Sequence, residues 1–151
     1  MPKASVKRLI ECKKDDLINL VLDIEKYPDF VPFCYNAKIY ESKNEGDIIK
    51  IIADLTIGKG PFKETYKSNV LYKKKDNSIL VTNLDGPLNH LTNKWLFISK
   101  DNFTEVTFDI DFEIKNKFLN TLMSASFQYG IEKIANAFQK RAENLFSNSK
   151  N

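Results

Sequence analysis

At 151 residues the chain has the length of one domain, and 42% apolar with 28% charged residues is the balance of a folded chain rather than a disordered one. Five glycines and five prolines exclude collagen-like and proline-rich architectures, and no apolar run is long enough for a membrane-spanning helix. The net charge of +3 rests on 21 lysines and two arginines, Arg8 and Arg141, a skew that argues against a DNA partner because base readout favours the planar arginine fork.

Residues 4–12 read as a first strand. Asp15 and Asp16 offer an N-cap and a favourable charge for a helix carrying Leu17, Ile18, Val21 and Leu22, which Pro28 is expected to end. The stretch from Tyr27 to Cys34 is apolar but too proline-rich for a regular element. From about 35 to 114 the pattern is β. Breaks at Lys43-Asn44-Glu45-Gly46, Gly58-Lys59-Gly60-Pro61, Lys73-Lys74-Lys75-Asp76-Asn77, Gly86-Pro87 and Lys100-Asp101-Asn102 cut it into about six strands spaced for antiparallel hairpins. In the last of these, Val106, Phe108, Ile110, Phe112 and Ile114 alternate with Thr107, Asp109, Asp111 and Glu113, so one face is apolar and must be covered.

Residues 117–147 supply the cover. Phe118, Leu119, Leu122, Met123, Phe127, Ile131, Ile134, Ala135, Phe138, Ala142 and Leu145 recur largely at helical spacing, which predicts one helix of about 45 Å. Gly130 in its middle serves either close packing on the sheet or room for a ligand. The whole reads as a single α+β domain over residues 1–151, a helix-grip in which a curved antiparallel sheet of about seven strands wraps a long C-terminal helix. A bent sheet touches a straight helix along only part of its length, so an apolar cavity is expected, of the ~300–1,000 Å³ common for ligand sites.

Enzymatic motifs are weak. The Gly58–Pro61 cluster opens no helix and reads as a turn or bulge, not a phosphate loop. Asp109, Asp111 and Glu113 read as a solvated outer face paired with lysines rather than as a metal site. His90 has no GxSxG elbow to serve, and Cys34 reads as a small core residue. No catalytic residue, metal or enzymatic activity is expected. Without CxxC spacing, Cys12 and Cys34 suggest reduced thiols; with no apolar leader in the first twelve residues, a bacterial cytoplasmic location follows, peripheral to the inner membrane if lipid is involved. Lys73–Lys75 and Lys13–Lys14 are either solvated edges or contacts for anionic lipid or RNA, and they matter only on the side of the cavity mouth.

Several segments together resemble the coenzyme Q-binding protein family, a branch of the START-like and polyketide cyclase superfamily that also contains ribosome association toxins of the RatA type. They are Leu20 to Cys34 (LVLDIEKYPDFVPFC), Ala53-Asp54-Leu55-Thr56-Ile57-Gly58, Asp85-Gly86-Pro87-Leu88, Trp95-Leu96-Phe97, Val106 to Glu113 and Ala137 to Ala142. Phe33 stands where the family often has Trp, and Leu88 where an aromatic is common; both keep the surface apolar. The resemblance implies the helix-grip fold and binding of ubiquinone or a related polyprenyl lipid in support of respiratory electron transport, with ubiquinone as bound ligand rather than cofactor. The second function it implies is binding to the large ribosomal subunit that blocks subunit association. The lining expected for a quinone is Tyr27, Phe30, Val31, Pro32 and Phe33 as a lid, Trp95, Phe97, Phe108, Ile110 and Phe112 from the sheet, and Met123, Phe127, Ile131 and Ile134 from the helix. Tyr27, Tyr66 or Trp95 would donate to a quinone carbonyl.

Overall fold

The computed structural model describes residues 3–85 and 88–146. In chain order these form β1 (Lys3–Ile10), α1 (Lys14–Leu22), a 3₁₀ turn (Ile24–Lys26) and α2 (Tyr27–Phe30). Six strands follow: β2 (Cys34–Glu45), β3 (Ile48–Lys59), β4 (Phe62–Lys73), β5 (Ser78–Asp85), β6 (Leu88–Lys100) and β7 (Phe103–Ile114). The described chain closes on α3 (Lys117–Ser124) and α4 (Phe127–Phe146). All seven strands form one antiparallel sheet in the order β1-β7-β6-β5-β4-β3-β2. Five of its six pairings join strands adjacent in sequence, whereas β1 joins β7 across the length of the chain.

The alternation along each strand sets the inner face. Ile51 and Ala53, Val70, Ile79, Trp95 and Phe97, and Val106, Phe108 and Phe112 point inward and are buried. α4 lies along β1, fastened by Arg8 to Asn136 at 2.9 Å, by Gln128 to the Ser5 carbonyl at 3.2 Å and by the Glu11 amide to Glu143 at 3.1 Å. Its buried side, Phe127, Ile131, Phe138 and Ala142, covers the inner face. The helix-grip expected from the pattern is the fold found.

Five expectations about local structure are corrected. Lys13, not an aspartate, stands at the N-cap of α1 without a side-chain bond, so Asp15 and Asp16 act only through their charge in the first turn. α1 ends at Leu22, and Pro28 helps start α2, because the first turn of a helix does not need the amide hydrogen that proline lacks. The stretch expected to hold no regular element thus opens with a helical turn. The single long helix is two, broken at Ala125 and Ser126. Ser124 Oγ bonds back to the Asn120 carbonyl at 2.7 Å, while the Ser126 carbonyl accepts the Gly130 amide at 3.0 Å and opens α4. Phe118 and Leu145 fall off the covered stripe, at 62% and 53% exposure.

The acidic row on β7 is the fifth. Its carboxylates bond Ser5 (Asp109), Lys3 and His90 (Asp111) and Asn89 (Glu113), so lysine supplies only one of the partners. The Gly58–Pro61 cluster is the β3–β4 turn, with Gly60 at φ 60° in the left-handed region. Gly86-Pro87 lies outside the described residues.

Candidate ligand-binding site

The segment between α1 and the edge strand β2 folds over the inner face as a short lid. Two anchors hold it. The Tyr27 hydroxyl donates to the Val21 carbonyl, and the Gly58 amide donates to the Phe33 carbonyl at 3.0 Å, tying the lid to the far end of β3. Phe33 adopts φ 69°, a left-handed conformation that costs a side-chain-bearing residue about 1–2 kcal/mol. The α2 rings drop inward onto α4. Tyr27 and Phe30 meet Phe138 edge-on at 5.3 and 5.1 Å, and Phe138 meets Trp95 at 5.2 Å. Trp95 in turn sits 4.4 Å from Phe108. Lid, helix and sheet are thus joined by one aromatic cluster, and the Arg141 guanidinium caps it 5.0 Å over Phe30.

Among the described residues, the space enclosed beside this cluster is small. A cavity of about 20 Å³ lies between α4, α1 and the β1–β7–β6 part of the sheet, lined by Val6, Ile10, Leu17, Trp95, Phe108 and Phe138 among others. At this place in the grip the space is far smaller than the several hundred Å³ expected, because the aromatic cluster occupies it. Burial along the sheet is uneven, however. On β3 the inner positions Ile51 and Ala53 are buried, while Leu55 and Ile57 nearer the lid are half-exposed. On β7 Ile110 is half-exposed between buried Phe108 and Phe112. Apolar inner surface therefore remains part-covered toward the lid end.

The expected lining residues divide accordingly. Trp95, Phe108 and Ile134 line the small cavity. Tyr27 and Phe30 belong to the aromatic cluster, and Val31, Pro32 and Phe33 form the half-buried lid strip. Phe97, at 1% exposure, is plain core, as are Ile131 and the Phe112–Phe127 pair at 4.8 Å. The Met123 side chain lies outside the described ones. Phe138, the hub of the cluster, was missing from the expected lining although it sits one helical turn from Ile134. Gly130 faces the lid rather than the sheet, since a Cβ there would meet the Phe33 ring at 3.8 Å.

Burial raises the hydroxyl pKa of both Tyr27 and Tyr66, so each is a neutral donor at ordinary pH, and Tyr27 already spends its proton on Val21. Burial likewise raises Cys12 and Cys34 to about 11. His90 pairs with Asp111 at 3.0 Å and holds that carboxyl below its ordinary range. No cluster of three metal-ligating side chains occurs among the described residues. Lys73–Lys75 and Lys13–Lys14 lie at the end of the sheet away from the lid: Lys73 pairs with Ile48, at the opposite end of the β3–β4 ladder from Gly58.

Residues 10–139 match the family described as polyketide cyclase / dehydrase and lipid transport. The chain belongs to this family. Within it, the chain is 32% identical to a ribosome association toxin RatA of Rickettsia prowazekii, over 91% of this chain and 94% of that protein. It is 33% identical to a mitochondrial coenzyme Q-binding protein of Dictyostelium discoideum, over 89% of this chain but only 66% of the relative's length. A START superfamily protein from Mycobacterium smegmatis shares the fold, with a TM-score of 0.77 at 18% identity over 95% of this chain and 98% of the other. No helix among the described residues is long and apolar enough to cross a membrane.

Proposed function

We propose that the protein is a non-enzymatic carrier of a polyprenyl quinone, ubiquinone or a close relative, held between the lid, α4 and the inner face of the sheet. One observation carries the reading: the apolar inner face is only part-covered at the lid end, and the lid over it is a separate segment seated on a strained hinge at Phe33. A flat ring can replace one aromatic partner in the Tyr27–Phe30–Phe138–Trp95 cluster, and isoprene units gain about 25 cal/mol per Å² removed from water. With about 20 Å³ enclosed, entry requires the lid to lift, and the chain beyond the first isoprenes stays outside, in a bilayer or a partner's groove. The relationship to a coenzyme Q-binding protein supports this reading.

The relationship to RatA supports a second one, contact with the large ribosomal subunit, and the two surfaces need not coincide. On that reading the clusters Lys73–Lys75 and Lys13–Lys14, remote from the lid, contribute basic charge, and binding falls steeply with salt. The test is native mass spectrometry with solvent extraction of protein purified from a quinone-rich host. Near-stoichiometric quinone is the expected result. Protein that is free of lipid and sediments with the large subunit in a salt-sensitive way would replace the carrier reading with the ribosomal one.

A further inference from the structure

Asn93 occupies an inward position of β6, in register between Leu91 and Trp95, where the neighbouring inward residues are apolar. Its partners across the ladders are Val81 on β5 and Ile110 on β7. Its Oδ1 is buried and has no hydrogen-bond partner. An unsatisfied buried acceptor is destabilising, and an apolar residue of the same size would avoid the cost. The neighbouring Asn83, on β5, shows the contrast: its side chain is engaged by the Leu91 amide at 2.9 Å and the Leu88 carbonyl at 3.4 Å. Asn93 also stands beside Ile110, one of the inner positions left part-covered, and next along the strand from Trp95, the sheet member of the aromatic cluster.

Resting on the carrier reading, we infer that Asn93 is the polar anchor for the ligand head and that Oδ1 accepts a hydrogen bond from it. The head must then present a donor at that point, which a quinone lacks and its two-electron, two-proton reduced form, the hydroquinone, possesses. The site therefore selects the reduced lipid, or a prenylated phenol of the same shape, over the oxidised quinone.

The experiment measures binding of decylubiquinol and decylubiquinone, anaerobically, to the full-length protein and to Asn93→Leu, with Asn93→Val as a second variant better suited to a strand. Wild type is expected to bind the quinol about tenfold more tightly than the quinone, the effect of one hydrogen bond. Both variants should lose that preference and bind the two forms equally, and should melt no lower than wild type because the orphaned acceptor is gone. Equal binding of the two forms by wild type, or a preference that survives substitution, overturns the assignment of Asn93 and leaves the carrier reading intact. Failure of wild type to bind either form overturns both.

Discussion

Replacing Phe138 with alanine tests whether the aromatic cluster holds the lid closed. The ring is 3% exposed, touches Tyr27, Phe30 and Trp95 edge-on, and borders the existing cavity, so its removal both strips three ring contacts and enlarges a void. Buried Phe→Ala changes cost about 3–5 kcal/mol, and three edge-to-face contacts at ~0.5–1.5 kcal/mol each account for much of that. We expect a loss of about 4 kcal/mol, or a fall in Tm of about 8–16 °C for a chain of this length. Urea unfolding followed by the fluorescence of Trp95, the sole tryptophan, reads the change from inside the cluster. A dry apolar void takes up small arenes, so benzene or indole at about a hundred times its Kd should restore about 2.7 kcal/mol. A loss under about 1 kcal/mol would show that the lid does not depend on Phe138. A full loss with no arene rescue would show that the lid collapses into the gap instead of leaving a ring-shaped space.

Three other outcomes follow from the geometry. Gly130→Ala should stabilise by about 1 kcal/mol from helix propensity, since its Cβ meets the Phe33 ring at an ordinary 3.8 Å; destabilisation in urea would mean that the lid sits closer to α4 than described. Cys34, raised by burial from 9.0 to about 11, should react with iodoacetamide at pH 8 about a hundredfold more slowly than a free thiol, and a rate near the free value would contradict its burial. Asp111 has a depressed pKa when folded because His90 bonds it, so its contribution is complete above the unfolded value near ~3.9 and disappears as pH falls through the lower folded one. Asp111→Asn should accordingly lower Tm at pH 6 and not at pH 2; an equal effect at both would falsify the pairing as its source.

The strands and their faces were legible because period-two alternation is a strong local signal, as in Val106 to Ile114, where every inward residue is at least half-buried. The helix break was not, because the apolar rhythm continues across Ser124 and Ser126 and carries no sign of the interruption between α3 and α4. The lid aromatics were found as a segment, but the cluster they make depends on which α4 residue they meet, a tertiary fact that put Phe138 at the centre and Phe97 in the core. Asn93 could have been noticed as a polar residue at an inward position of an otherwise apolar row. Its missing hydrogen bond could not, because partners come from neighbouring strands. The small cavity was equally hidden: a sequence reports how many aromatic rings there are, not whether they fill the grip or line it.

The pairing of β1 with β7 has a bearing on synthesis. Strands β2 to β7 can zip together in order, each with the strand made just before or after it, but β1 has no strand partner until β7 has been translated and no helix to cover it until α4 has. Such a closure is slow relative to the hairpins and leaves Ala4, Val6 and Ile10 without cover in the nascent chain. A pause in translation after β6 would hold the apolar side of β1 open to chaperones or to other chains, so the first strand to be made is the last to be seated.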